Sequence, residues 1–233
     1  MSGPRVTVRD IATPEGPARA HLCRPVRARG TVVLGHGAGG GLAALDLEVS
    51  REVLVGAGWA VVVVEQPWLV AGRRIAGRPA TLDAAWVPVV QALTTGRGRL
   101  PAPLVVGGRS AGARVACRTA ATVGAAAALL LSFPLHPPGR PERSRADELA
   151  LAPAPSWVVQ GVADPFGTPA EVSAHLPAGA TLIEVAGAHS FPRGSRPALA
   201  AALAQIAGML PGAVSLDPPW RTVPPVHPST APS

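Results

Sequence analysis

The sequence contains no lysine, no tyrosine and no asparagine, and aromatic residues make up only 3% of its 233 residues. Arginine therefore supplies every fixed side-chain cation, and the formal net charge is +7. Proteins that bind nucleic acids usually concentrate their basic residues on one face together with stacking aromatics. Here the arginines are dispersed along the chain, so we expect no nucleic-acid partner.

Long apolar runs and metal-binding patterns are also missing. No apolar run approaches the ~20 residues of a membrane-spanning helix, and residues 1–10 lack the apolar segment of a secretion signal. Cys23 and Cys117 belong to no Cys/His cluster with zinc-site spacing, and we interpret both as small buried apolar residues. We expect a cytoplasmic protein with no metal, no cofactor and no membrane partner. The oligomeric state stays open, with a monomer favoured.

What the chain does contain is an alternation of strand-like and helix-like segments. Two β-type segments at 5–9 and 19–23, separated by a Pro/Gly turn, predict an N-terminal antiparallel hairpin. From residue 31 onwards strands and helices alternate, and apolar runs such as 59–64 are typical of strands that are buried on both faces. The pattern predicts an α/β fold with a doubly wound, mostly parallel sheet.

The expected elements have the following bounds. Strands after the hairpin are predicted at 31–34, 59–64, 104–106, 126–131, 157–160 and 181–185. Helices are predicted at 46–55, 81–93 with Thr81 as N-cap and a kink or break at Pro88, 110–123, 169–175 and 196–209. We expect segment 133–155 to cross the rim of the sheet as a minimal cap. Residues 1–210 are predicted to form the domain, and the Pro-rich residues 211–233 a mobile tail.

A G-x-S-x-G pentapeptide at 108–112 lies between an expected strand and an expected helix. In that context the motif forms a sharp turn that holds a nucleophilic serine, here Ser110, at the top of the sheet. Larger side chains two residues before or after the serine would clash with the neighbouring strand and helix. By itself the pentapeptide also fits an ordinary strand-to-helix turn.

A glycine-rich loop at 35–41 follows the strand at 31–34. In hydrolases that carry the serine motif, this connection supplies a backbone N–H that binds the oxyanion. A phosphate-binding loop is the alternative, but the spacing is wrong and no lysine is available to reach a phosphate. We predict that the N–H groups of Ala38 and Ala111 form an oxyanion hole, and that His36 shapes the loop.

Asp164 and His189 follow the last two expected strands. Each residue alone also fits a turn or surface loop. Together with Ser110 they occur in the chain order Ser, Asp, His that this class of hydrolase uses. Each follows the carboxyl end of a different strand, where α/β sheets build their sites. We predict Ser110 as nucleophile, His189 as general base and Asp164 as the acid that orients the histidine.

Three further residues are candidates for substrate binding at the rim of the site, namely Arg73, Arg74 and His136. Arginine binds carboxylate and phosphate well, so a small negatively charged ester is a candidate substrate. A solvated arginine-rich loop is the simpler interpretation of Arg73 and Arg74.

Several stretches resemble small bacterial α/β-hydrolase-like proteins related to the dienelactone-hydrolase branch, whose eukaryotic relatives include a testis-expressed protein and a chromatin-complex subunit. These stretches are 35–40, 65–68, 71–74, 107–114, 133–141, 160–167 and 188–191. The resemblance implies the α/β-hydrolase fold and carries the triad onto Ser110, Asp164 and His189. Dienelactone hydrolases use a cysteine nucleophile, so the resemblance does not imply their particular reaction.

These observations predict a serine hydrolase that acts on a small ester or thioester through an acyl-enzyme on Ser110. The alternative is a hydrolase-fold protein that binds a partner or ligand without turnover. The complete triad favours the enzyme, because a scaffold has no need to keep it. A haloalkane- or epoxide-type enzyme would need an Asp nucleophile, which Ser110 argues against.

Overall fold

Eight strands form one sheet in a computed structural model, which describes residues 6–39 and 41–212. The strands are β1 (Val6–Thr13), β2 (Gly16–Cys23), β3 (Thr31–Gly35), β4 (Ala60–Glu65), β5 (Leu104–Arg109), β6 (Ala127–Leu131), β7 (Ser156–Gly161) and β8 (Ala180–Val185). Their order across the sheet is β1-β2-β4-β3-β5-β6-β7-β8. β2 pairs antiparallel with β1 and β4, and all remaining pairs are parallel. The predicted mostly parallel sheet with an N-terminal antiparallel hairpin is confirmed.

Seven α-helices accompany the sheet in the described residues. They are α1 (Leu45–Gly56), α2 (Pro67–Val70), α3 (Pro79–Thr94), α4 (Ala111–Thr119), α5 (Ala146–Leu149), α6 (Pro169–Ser173) and α7 (Arg196–Met209). Within this part of the chain, every helix is too short or too polar to cross a lipid bilayer.

The apolar run in β4 is buried on both faces because side chains alternate along a strand. Val61 and Val63 pack into the core layer that contains α1 and α7, whereas Val62 and Val64 pack into the layer that contains α3 and α4. A helical layer thus covers each face of the sheet, as a doubly wound fold requires.

Two local predictions are wrong, and of the two alternatives predicted at Pro88, a kink or a break, the structure excludes the break. Helix α3 begins at Pro79, and Arg78 rather than Thr81 is its N-cap, because a proline suits the first helical position. The same helix continues past Pro88 without a break. Helix α4 ends at Thr119, and Gly124 adopts a φ of 65° in the turn that follows. The short helix α2 was not predicted, since four residues carry no readable periodicity.

The segment between β6 and β7 is anchored on α4. It contains a 3₁₀ turn (Pro141–Arg143) and α5, whose Leu149 is fully buried in the core. Next to it, Glu148 accepts hydrogen bonds from Arg114 and Arg118 of α4. The first residue of the predicted hairpin, Gly40 of the glycine-rich loop and residues 213–233 of the predicted tail lie outside the described residues.

Candidate active site

Ser110 lies at a sharp turn between β5 and α4. Its backbone has φ 52° and ψ −113°, a conformation that residues other than glycine rarely adopt. The peptide N–H of Ser110 donates a hydrogen bond of 2.9 Å to the carbonyl of Leu131 at the end of β6. This bond fixes the strained turn to the neighbouring strand.

Glycines on either side allow the turn to lie against β3. A Cβ atom at Gly108 or at Gly112 would come within 2.3 Å of the Gly35 carbonyl oxygen. Gly108 also has a φ of 148°, which a larger residue would adopt only with strain. The small residues of the G-x-S-x-G motif are therefore required by the close approach of two backbones.

The structure brings the three predicted triad residues into one hydrogen-bonded chain. The Oγ atom of Ser110 is 2.8 Å from Nε2 of His189, and Nδ1 of His189 is 2.9 and 3.1 Å from the two carboxylate oxygens of Asp164. The Asp164 side chain is fully buried. When Nδ1–H donates to Asp164, Nε2 is left as the acceptor for the serine hydroxyl. This arrangement can transfer a proton from Oγ to the imidazole.

Two further donors hold the Asp164 carboxylate in place. The N–H of Phe166 donates to Oδ1 over 2.9 Å, and Nε2 of Gln160 donates to Oδ2 over 3.0 Å. Gln160 is itself fully buried, donates to the Gly167 carbonyl and accepts from the N–H of Phe133. Its amide thus links the carboxylate to the backbone of two loops.

Sequence reasoning assigned no role to Gln160 or Phe166. The ring of Phe166 lies against the imidazole of His189, with centroids 4.1 Å apart. A usable signal existed for Gln160, because it is a polar residue that directly follows the apolar run 157–159 of the buried strand β7. Buried amides are normally hydrogen-bonded, so this residue needs polar partners within the fold.

Ala38 and Ala111, the residue after Ser110, line one cavity of about 460 Å³. Ala111 is the first residue of α4, so its N–H has no acceptor within the helix. The remaining wall includes Arg74, Arg114 and Arg118. The cavity thus brings the two residues of the predicted oxyanion hole together with cationic side chains.

His36 fixes the start of the glycine-rich loop. Its Nδ1 is 2.9 Å from the Gly37 carbonyl, and its Nε2 accepts a hydrogen bond of 3.1 Å from the Gln66 N–H. Burial lowers the pKa of His36, although the Gly37 carbonyl and the charge of Glu65 oppose this shift. The contacts identify a neutral imidazole with its proton on Nδ1, which shapes the loop as expected.

The three predicted rim residues lie in different places. Arg74 lines the cavity of Ala38 and Ala111, whereas Arg73 lines a neighbouring cavity of about 350 Å³ next to Trp68. His136 is largely buried, lies 3.4 Å from Glu171 and lines neither cavity. The structure therefore groups only Arg74 with the predicted oxyanion donors.

Other nucleophiles and metal sites are poorly supported. Burial raises the pKa of the Cys117 thiol to about 12, so at neutral pH this residue carries no reactive thiolate. Within residues 6–39 and 41–212, no group of three or more His, Cys, Asp or Glu side chains is placed to hold a metal ion.

Solved structures of other proteins share the fold of this chain. Among solved structures it is similar to a serine hydrolase without a lid from Xanthomonas campestris (20% identity, TM-score 0.71, 90% of this chain and 96% of that chain covered). It is also similar to an esterase from Pyrobaculum calidifontis (20% identity, TM-score 0.66, 89% of this chain and 87% of that chain covered). A dienelactone hydrolase from Anabaena variabilis is similar too (20% identity, TM-score 0.68, 89% of this chain and 98% of that chain covered). The TM-scores show a shared fold, and at 20% identity the likeness shows the fold alone. No curated protein matches the chain.

A matching family model confirms the resemblance to α/β-hydrolase-like proteins at the level of family. A family model described as an alpha/beta hydrolase domain matches residues 28–206. That range includes the glycine-rich loop, the serine turn and both loops that carry Asp164 and His189. The chain belongs to the alpha/beta hydrolase domain family.

Proposed function

We propose that the chain is a serine hydrolase that cleaves a small ester or thioester through an acyl-enzyme on Ser110. The observation that carries this proposal is the 2.8 Å contact between Ser110 Oγ and His189 Nε2. The contact continues from His189 to a carboxylate that is itself buried and hydrogen-bonded. Nucleophile, base and orienting acid at these distances are the arrangement that activates a serine hydroxyl.

The proposed reaction has two steps. Ser110 Oγ attacks the substrate carbonyl while its proton moves to Nε2 of His189, and the imidazolium then protonates the departing alcohol or thiol. The N–H groups of Ala38 and Ala111 stabilise the negatively charged oxygen of the intermediate, at about 3 kcal/mol for each donor. In the second step, His189 takes a proton from a water molecule as that water attacks the acyl carbonyl. The imidazolium then returns the proton to Ser110 Oγ as the bond to the serine breaks and the acid leaves.

The cavity wall supports a substrate that carries a negative charge. Arg114 and Arg118 already bind acidic partners, Glu148 and Asp83. Arg74 is exposed on the same wall and adds a further positive charge. We assign binding of a substrate carboxylate or phosphate to Arg74, while Arg73 and His136 remain predictions from sequence. A cavity of about 460 Å³ suits a small-molecule substrate.

Labelling with a fluorophosphonate probe tests the proposal. The wild type should be labelled, and Ser110→Ala and His189→Ala should both abolish labelling, because the first lacks the nucleophile and the second lacks its base. Ser173→Ala and His175→Ala change the same residue types at exposed positions on and after α6 and serve as controls with unchanged labelling. A folded wild type that resists labelling would contradict the proposal and favour a binding protein without turnover.

A further inference from the structure

The side chain of Arg109, directly before Ser110, contacts three separate parts of the candidate site. Its Nε donates a hydrogen bond of 3.0 Å to the Asp46 carboxylate at the start of α1. Its Nη2 donates to the backbone carbonyl of His189 over 2.7 Å and to the Ser190 hydroxyl over 3.0 Å. One guanidinium therefore joins the serine turn, helix α1 and the histidine loop.

The same guanidinium also lies against the glycine-rich loop. A Cβ atom at Gly37 would be 2.9 Å from Nη1 of Arg109, so the guanidinium packs closely against this loop at residue 37. The Arg109 side chain is 13% exposed and that of Asp46 is 2% exposed. The group is thus enclosed by the loops it joins, and its position is well defined.

We propose that Arg109 is a positioning residue that sets the histidine loop relative to Ser110, and this inference rests on the proposed serine hydrolase function. Ser110 follows β5, whereas His189 follows β8, the last strand in the sheet order. Three strand spacings, about 14 Å, separate those two strands. Arg109 provides a direct bond from the residue next to the nucleophile to the backbone of the base.

Arginine suits this task because its planar guanidinium presents five N–H donors in a fixed geometry. A lysine at residue 109 can retain the ion pair with Asp46 but cannot place donors on Asp46 and the His189 carbonyl in the same rigid way. A displacement of about 1 Å between reacting groups can reduce turnover about 100-fold. The expected defect is therefore in turnover rather than in substrate binding.

A purely structural role must be separated from positioning. Arg109→Met leaves the Asp46 carboxylate buried and unpaired, which destabilises the fold. The double variant Arg109→Met/Asp46→Asn removes that buried charge but still lacks the bond to His189. If Arg109 only stabilises the fold, the double variant regains both thermal stability and turnover. If Arg109 positions the histidine loop, the double variant regains thermal stability but not turnover.

Arg196→Met provides a matched control. Arg196 binds Glu48 and Glu52 of α1 from the side of α7, so its loss removes another arginine anchor of the same helix. None of its contacts involves Ser110, His189 or Asp164. Its turnover should equal that of the wild type.

The experiment measures kcat and KM with 4-nitrophenyl acetate, the fluorophosphonate labelling rate and the melting temperature. We expect Arg109→Met and the double variant to lose about 10- to 100-fold in kcat and labelling rate, with KM within about two-fold of wild type and Arg109→Lys intermediate. A wild-type kcat in the double variant would overturn the inference about Arg109 but leave the proposed function intact. A wild type without activity, or activity that survives Ser110→Ala, would instead overturn the proposed function and the inference with it.

Discussion

Gln160 supports the candidate triad through a single buried amide. Its amide nitrogen donates hydrogen bonds to Asp164 and to the Gly167 carbonyl, and its amide oxygen accepts one from the Phe133 N–H. A methionine has a similar size and offers no hydrogen bonds, so Gln160→Met should leave the Phe133 N–H and the Gly167 carbonyl without partners and remove one of the donors to Asp164. Each unsatisfied buried group costs about 1–3 kcal/mol.

We therefore expect Gln160→Met to lower the free energy of unfolding by about 2 kcal/mol or more, together with kcat. Urea denaturation and turnover of a 4-nitrophenyl ester measure the two effects. Gln91→Met alters an exposed amide on α3 and should stay within about 0.5 kcal/mol of wild type. Unchanged stability in Gln160→Met would show that the amide contacts contribute nothing.

Replacing glycine by alanine should have opposite effects on stability at residues 112 and 208. Gly112→Ala places a Cβ 2.3 Å from the Gly35 carbonyl, so it should destabilise the fold by about 1–3 kcal/mol and slow labelling of Ser110. Gly208 lies in α7, where an added Cβ would meet no heavy atom within 4 Å beyond the backbone of its own helix. Gly208→Ala should stabilise the fold by up to about 1 kcal/mol. Thermal unfolding measures the melting temperatures of both variants. Equal shifts in melting temperature would contradict the backbone clash at residue 112.

At the scale of elements, Glu148 joins α5 to α4. Burial raises the pKa of this carboxyl, but hydrogen bonds and charges from Arg114 and Arg118 outweigh burial and lower it overall. A pKa that is lower in the folded state adds stability above the ordinary glutamate pKa. That contribution is lost as the pH falls through the lowered folded-state value.

We therefore expect Glu148→Gln to cost about 1–3 kcal/mol at pH 7, and the difference from wild type to shrink as the pH falls below the ordinary glutamate range. Urea denaturation of both proteins from pH 7 to pH 3 measures it. Glu15→Gln, at an exposed turn residue of the β1–β2 hairpin, is the control. A difference that stays constant down to pH 3 would refute the assigned ion pairs.

Across the whole molecule, sequence patterns predict the strands, helices and turns that are determined by residues close together in the chain. The apolar run at 59–64 and the serine motif specify β4 and the turn at Ser110, because burial on both faces and a tight turn leave a local signature. The roles of Arg109 and Gln160 depend on partners from distant segments, such as Asp46, more than 60 residues before Arg109. No spacing rule reveals such contacts. The polarity of Gln160 in a buried strand indicates that it needs hydrogen-bond partners, but the identity of those partners and the role of Arg109 emerge only from the folded chain.

The electrostatic field of the molecule gives the final prediction. With a formal net charge of +7 and Arg74 at the cavity, 4-nitrophenyl hemisuccinate should be a better substrate than the neutral 4-nitrophenyl butyrate. The ratio of their kcat/KM values should fall as salt rises from about 0.01 to 0.5 M, because salt screens exposed charges.

Arg74→Gln separates the local charge from the net charge, and it should lower this ratio several-fold at low salt. Arg97→Gln removes an equal charge from an exposed position between α3 and β5, at the amino-terminal edge of the parallel strands and so away from the cavity. It should change the ratio little, since screening weakens charges beyond about 10 Å at 0.1 M salt. If both variants lower the ratio equally, net charge alone attracts the substrate and Arg74 does not bind it.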